Sequence, residues 1–141
     1  VEDLAMTTNG TLLVPVAGEL KEAGLHRLNI SLDSLDPEEY FRITRGGRLD
    51  NVLAGIEAAR AVGFPIKINT VRPDDDRIGE VEKNREFCNS KGLKLQLIKQ
   101  YSLTEATKDS VLFDRPSPRE ACNRLRLLAD GTPKPCLHSD I

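Results

Sequence analysis

Two cysteines, Cys122 and Cys136, flank the turn signal Asp130-Gly131. A hairpin there, with a strand at Asn123 to Leu128 and its partner at Pro133 to Leu137, brings the two sulfurs near each other. A thiolate pair of this kind can bind a metal ion or part of an iron–sulfur cluster. Arg124 and Arg126 stand two apart on the first of these strands and so point the same way. Two forked guanidiniums on one face suit a phosphate or a carboxylate. Plainer roles exist for each: cysteines are also small core residues, and paired arginines are also a solvated face. His138 could complete a Cys–Cys–His zinc site, with Asp140 as a further donor, although no C-x2-C element accompanies it. Cys88 lies beside Phe87 on a helical stretch, the setting of a packing residue.

A second set of polar groups lies upstream, on alternating apolar segments. In His26 to Leu32, Leu28, Ile30 and Leu32 share one side, and Asn29 and Ser31 the other. In Ile66 to Val71, Ile66 and Ile68 oppose Lys67 and Asn69. Central parallel strands are normally apolar on both faces, so two strands that each keep a polar face point to an interior cleft. Lys67 there should meet an anion, a carboxylate or water. The same pattern also suits an exposed sheet face. Thr7, Thr8, Asn9 and Gly10 close a short strand, Leu4 to Thr8, and polar groups at such an end suit either a plain turn or a ligand site.

The elements that carry these residues follow from periodicity and punctuation. Helices are predicted over Pro15 to Ala23, with Val16, Leu20 and Ala23 on one face and Gly24 as stop. Another runs from Pro37 to about Ile43, with Asp36 as N-cap and acids in its first turn. Two more cover Asp50 to Val62, on the stripe Val52, Leu53, Ile56 and Ala59, and Asp76 to Lys91, carrying Ile78, Val81, Phe87 and Cys88. A fourth strand is predicted at Leu93 to Lys99. Strands joined by helical crossovers imply an α/β fold with a parallel sheet and right-handed connections. The expected architecture is part of a β/α barrel over residues 1–101, with a doubly wound sheet as the competing layout. Residues 102–141 read as a connection and a small C-terminal subdomain.

Composition sets broad limits. The chain has 141 residues, 39% apolar and 30% charged, with a net charge of −2, ordinary for a globular domain and unlike a general nucleic-acid binder. No apolar run is long enough for a membrane span. Three cysteines and no secretory signal suggest a reducing compartment, the cytoplasm.

Taken in order, these residues resemble the molybdenum-cofactor biosynthesis protein A (GTP 3′,8-cyclase) family of radical S-adenosylmethionine enzymes. The resemblance runs through Thr7-Thr8-Asn9-Gly10, Lys21-Glu22-Ala23-Gly24-Leu25 and Asn29-Ile30-Ser31-Leu32-Asp33-Ser34-Leu35-Asp36. It continues with Ile43-Thr44, Gly55-Ile56-Glu57-Ala58-Ala59, Gly63-Phe64, Lys67-Ile68-Asn69-Thr70, Cys122-Asn123-Arg124-Leu125-Arg126, Ala129-Asp130-Gly131 and Cys136-Leu137. It implies a partial TIM-like barrel that binds S-adenosylmethionine, followed by a domain with a second 4Fe–4S cluster. The implied reaction rearranges GTP into 3′,8-cyclo-GTP through a 5′-deoxyadenosyl radical. Carried over by motif, Ser31 contacts S-adenosylmethionine, and Thr7, Lys67, Arg124, Leu125 and Arg126 contact GTP. Cys122 and Cys136 are then two ligands of the second cluster.

The sequence departs from the family pattern in ways that bear on chemistry. The C-x3-C-x2-C motif of the radical-generating cluster does not occur in the 141 residues, nor does the glycine-rich motif for the methionine amine. The chain therefore reads as a piece of such an enzyme, inactive in isolation. Arg119 stands where the family's C-x2-C has its first cysteine, and a guanidinium is no substitute for a thiolate. Tyr101 stands at the position of a methionine that contacts S-adenosylmethionine. The stretch from Tyr101 to Cys122 is shorter than in the family, and its glycine-rich tail is missing. Alternatives are a related radical enzyme with another small anionic substrate, a nucleotide-binding module without radical chemistry, or a zinc-stabilised domain. An open half-barrel also predicts poor solubility or a homodimer.

Overall fold

The computed structural model describes residues 2–72, 78–99, 126–127 and 131–134. Among the described residues its larger unit, Val1–Ala106, holds four strands and four helices, with two consecutive helices between the second and third strands. They are β1 (Ala5–Thr8), α1 (Leu13–Glu22), β2 (Arg27–Ser31), α2 (Pro37–Thr44), α3 (Leu49–Ala61), β3 (Ile66–Arg72), α4 (Ile78–Lys91) and β4 (Lys94–Lys99). All three strand pairings are parallel, in the sequential order β1-β2-β3-β4.

The core decides between the two expected layouts. Leu28, Ile30, Leu32, Ile66 and Ile68 project from one face of the sheet and are buried. Onto that face pack Leu13 of α1, Tyr40 of α2, Val52, Ile56 and Ala59 of α3, and Cys88 of α4. A doubly wound sheet has helices on both faces and a reversal of strand order. One-sided helices and a strictly sequential order make this an arc of a β/α barrel.

Local chemistry accounts for the element ends. The Asp36 carboxylate accepts from the Glu39 amide at 2.8 Å, with Pro37 in the first turn of α2, as its capping signal predicts. Gly24 and Gly63, at φ +92° and +77°, end α1 and α3. Helix α1 differs from expectation. It begins at Leu13, because Pro15 has no amide to lose in a first turn, and its buried residues are Leu13 and Ala17. Ala23 is exposed while Leu20 packs against the core, so only part of the stripe Val16, Leu20 and Ala23 that periodicity suggests faces inward. Helix α4 is described from Ile78; the expected start at Asp76 lies outside the described residues.

The smaller unit spans Thr107–Ile141. In it β5 (Arg126–Leu127) pairs antiparallel with β6 (Pro133–Lys134), Arg126 opposite Lys134 and Leu127 opposite Pro133. Gly131, at φ +84°, lies in the connection. The rest of the expected hairpin strands lies outside the described residues.

Candidate functional site

The strand registers place polar side chains in rows on the face opposite the core. Thr7 pairs with Asn29, Asn29 with Lys67, and Lys67 with Lys94. One step toward the C-terminal ends, Ser31 pairs with Asn69 and Asn69 with Gln96. Register partners on parallel strands share a face, and the intervening residues Ile30, Ile68 and Leu95 are those of the core layer. Ser31 and Lys67 are thus on the same side of the sheet, away from the helices.

This face is polar and incompletely satisfied. The Asn29 amide nitrogen donates to Thr7 Oγ1 at 3.4 Å, a weak contact. The side-chain oxygens of Asn29 and Asn69 are buried and have no hydrogen-bond partner among the described residues. Buried carbonyl oxygens normally have donors; the Asn84 side-chain oxygen, on the helix side of the sheet, is left in the same state.

The C-terminal edge is rigidly tied. Beyond β2, Asp33 accepts from the Val71 amide at 2.7 Å. Burial pushes its carboxyl above the usual range, while that backbone hydrogen bond opposes the shift. Burial, and then the negative charge of Asp33, pushes the Tyr40 hydroxyl up. Behind Ser31 the Leu32 carbonyl accepts from Thr70 Oγ1 at 2.7 Å and from the Asn84 amide at 3.0 Å. The Asn84 amide also lies 3.1 Å from Thr70 Oγ1. Ser34 donates to Glu80 at 2.7 Å and accepts from the Asp36 amide at 3.0 Å. The Lys83 ammonium, and next the Ser34 hydroxyl, hold the Glu80 carboxyl below its usual range.

At the end of β1 the turn is self-contained. Thr8 Oγ1 accepts from the Gly10 amide at 3.1 Å, and Asn9 Oδ1 accepts from the Thr11 hydroxyl at 2.8 Å. Gly10 has φ +79°, and a Cβ on Gly55 of α3 would overlap the Gly10 carbonyl oxygen. The loop that follows Thr7 is therefore seated directly on α3.

Of the residues singled out from sequence, Thr7, Ser31 and Lys67 come together on this face. Cys122, Cys136, Arg124, Leu125, Arg119, Tyr101 and His138 lie outside the described residues, and Arg126 is described only as backbone in β5. Lys94, Gln96, Asp33 and Asn84 were not among the candidates. The alternation Lys94-Leu95-Gln96 repeats that of Lys67-Ile68-Asn69 and could have found the first two.

The donor set fits S-adenosylmethionine better than it fits a cluster. Hydroxyl, carboxamide and carboxyl groups gathered at strand ends match the hydroxyls, amines and carboxylate of such a ligand. For a radical-generating cluster the described residues hold no group of three metal-binding side chains. Cys88, buried among core residues with its thiol pushed up by burial, is no ligand.

A parallel β/α arc with its polar groups on the inner face and at the strand ends defines a barrel-type small-molecule site. Residues 1–88 match the family described as the Radical SAM superfamily, and with more than half of the 141 residues matched, the chain belongs to that superfamily. It is 45% identical over 105 residues to a GTP 3′,8-cyclase of Rhodopseudomonas palustris, covering 74% of this chain and 30% of that protein. It is 35% identical to a GTP 3′,8-cyclase of Alkaliphilus metalliredigens, covering 99% of this chain and 57% of the relative. A probable GTP 3′,8-cyclase of Methanococcus maripaludis is 34% identical, over 99% of this chain and 60% of the relative. The chain thus spans between 30% and 60% of the length of these curated relatives. The Alkaliphilus match extends over 184 residues against a chain of 141, so that relative carries additional residues within the matched span. Among the described residues no helix is long and apolar enough to cross a membrane.

Proposed function

We propose that this chain is the ligand-binding arc of a radical S-adenosylmethionine enzyme of the GTP 3′,8-cyclase type, acting in molybdenum-cofactor biosynthesis in the cytoplasm. The observation that supports this best is the shared face of Thr7, Ser31 and Lys67. In this reading the Ser31 hydroxyl hydrogen-bonds S-adenosylmethionine near the C-terminal edge. Thr7 and Lys67, one row lower, hold GTP, with the ammonium against its phosphates. Residues 102–141 begin a second-cluster subdomain, where Arg124, Leu125 and Arg126 meet GTP beside a cluster held by Cys122 and Cys136.

The radical-generating cluster and S-adenosylmethionine would together supply one-electron chemistry, with the cluster's ligands drawn from outside these 141 residues. What the chain itself contributes is binding and orientation. Its inner face presents neutral acceptors at Asn29 and Asn69 and cationic charge at Lys67, a combination that suits a nucleotide's donors and anionic tail.

Titration calorimetry on the full chain tests this. Wild-type protein should bind GTP, and Lys67→Ala should weaken it by about 1.5–3 kcal/mol, the range for a hydrogen bond to a charged group. Ser31→Ala should weaken S-adenosylmethionine by about 0.5–1.5 kcal/mol and leave GTP unchanged. Unaltered GTP affinity in the Lys67 variant removes that residue from the site.

A further inference from the structure

Strands β2 and β3 part at a definite bond. Along their ladder Leu28 donates to the Pro65 carbonyl, and Leu32 to that of Asn69. Parallel pairing would next send the Val71 amide to the Leu32 carbonyl. That amide goes to the Asp33 carboxylate instead, at 2.7 Å. The vacated carbonyl accepts from Thr70 Oγ1 at 2.7 Å and from the Asn84 amide nitrogen at 3.0 Å. The register of β2 with β3 accordingly ends at Ser31 and Asn69, while β3 stays paired with β4 as far as Arg72. Asn84 is an odd choice for stability alone. It is fully buried on α4, as its neighbours Val81 and Cys88 are, and its side-chain oxygen has no partner among the described residues. A half-satisfied buried amide is inferior to an apolar side chain. Local violations of this kind concentrate at functional sites.

We infer that Thr70 and Asn84 are positioning residues for the ligand bound at Ser31. By drawing the Leu32 carbonyl to the helix side, they release β2 from the ladder immediately after Ser31 and set where its hydroxyl stands at the strand end. Without these two donors the Leu32 carbonyl is left to the Val71 amide. The ladder then gains one bond, Asp33 loses its partner, and Ser31 shifts with the strand. Neither Thr70 nor Asn84 touches the ligand. Thr7 and Lys67 lie before the break, so the GTP contacts proposed for them are independent of it. The inference rests on the reading of Ser31 as a contact for S-adenosylmethionine and adds to it the residues behind the sheet that fix its geometry.

The test is calorimetry on the full chain with S-adenosylmethionine and with GTP, for wild type, Asn84→Leu, Thr70→Val, the two combined, and Thr70→Ser, with thermal melts alongside. The combined variant should bind S-adenosylmethionine about fivefold more weakly, as loss of one neutral hydrogen bond does, and bind GTP as wild type does. Each single change should show part of this loss. Asn84→Leu should melt no lower than wild type, because it removes the unpaired amide oxygen. Thr70→Ser keeps the hydroxyl and should bind as wild type does. In a Ser31→Ala background the combined change should have no further effect, because the contact it misplaces is already gone. Equal S-adenosylmethionine affinity in wild type and the combined variant overturns the inference and leaves the reading of Ser31 intact. An equal loss for both ligands, with Asn84→Leu melting below wild type, reduces the pair to a structural role and overturns it too. So does an undiminished effect in the Ser31→Ala background. Wild-type protein that binds no S-adenosylmethionine, or binds it no better than Ser31→Ala does, overturns the reading of Ser31 and this inference with it.

Discussion

Asp33 is a half-buried carboxyl at the rim of the polar face, and its environment gives a signed pH effect. Its folded-state pKa lies above the ordinary 3.8, chiefly through burial. The folded protein therefore keeps this proton to higher pH than the unfolded chain does. Stability from this group falls as pH rises from about 3.8 through the raised folded value. Asp33→Asn retains an acceptor for the Val71 amide and removes the partly desolvated charge. The variant should melt above wild type at pH 7, with the gap closing toward pH 4. Thermal melts at both values check this, and a gap independent of pH contradicts it. At this scale the sequence was readable wherever alternation was intact: Ser31 and Lys67 fall on the face that period two assigns them. Asn84 was not readable. It occupies the middle of the buried stripe Val81, Asn84, Cys88, where a polar residue looks like a defect in amphipathicity. Its reason, the Leu32 carbonyl, is distant in the chain. The cysteine and arginine readings lie outside the described residues.

Among the elements, α3 is the one most tightly fitted to a neighbour. Its Gly55 lets the helix meet the Gly10 carbonyl, and a Cβ there would also stand 3.3 Å from Leu13 Cβ. In an open helix position, glycine to alanine gains up to about 1 kcal/mol from backbone entropy. Gly18 on α1, where an added methyl group would meet nothing within 4 Å, should behave that way. Gly55→Ala should instead cost about 1–3 kcal/mol through overpacking. Urea midpoints of the two variants should shift in opposite directions; a shift of the same sign for both would mean the loop yields freely. The order of elements was legible because glycines, the Asp36-Pro37 cap and clean apolar stripes mark most boundaries. The start of α1 was not, since Pro15 fits the first turn at more than one position. Only the burial of Leu13 and Ala17 fixes which one.

At the scale of the molecule, the arc leaves β1 and β4 each with one neighbour among the described strands. Between β1 and α1 lies an open cavity of about 440 Å³, lined by apolar residues that include Met6, Leu13, Val16 and Leu20. Leu12 and Val14 are 76% and 56% exposed. Unpaired edges and apolar patches of this kind drive association. Light scattering should therefore show mass rising with protein concentration, and Leu12→Lys should reduce the effect. A monomer at every concentration would speak against an exposed arc. The two layers are also mechanically linked. The Leu32 carbonyl, sandwiched in sequence between Ser31 and Asp33, is gripped from behind by side chains of β3 and α4. Damage on the outer helical shell near Asn84 would thus be felt by a serine on the inner lining, although the two never touch.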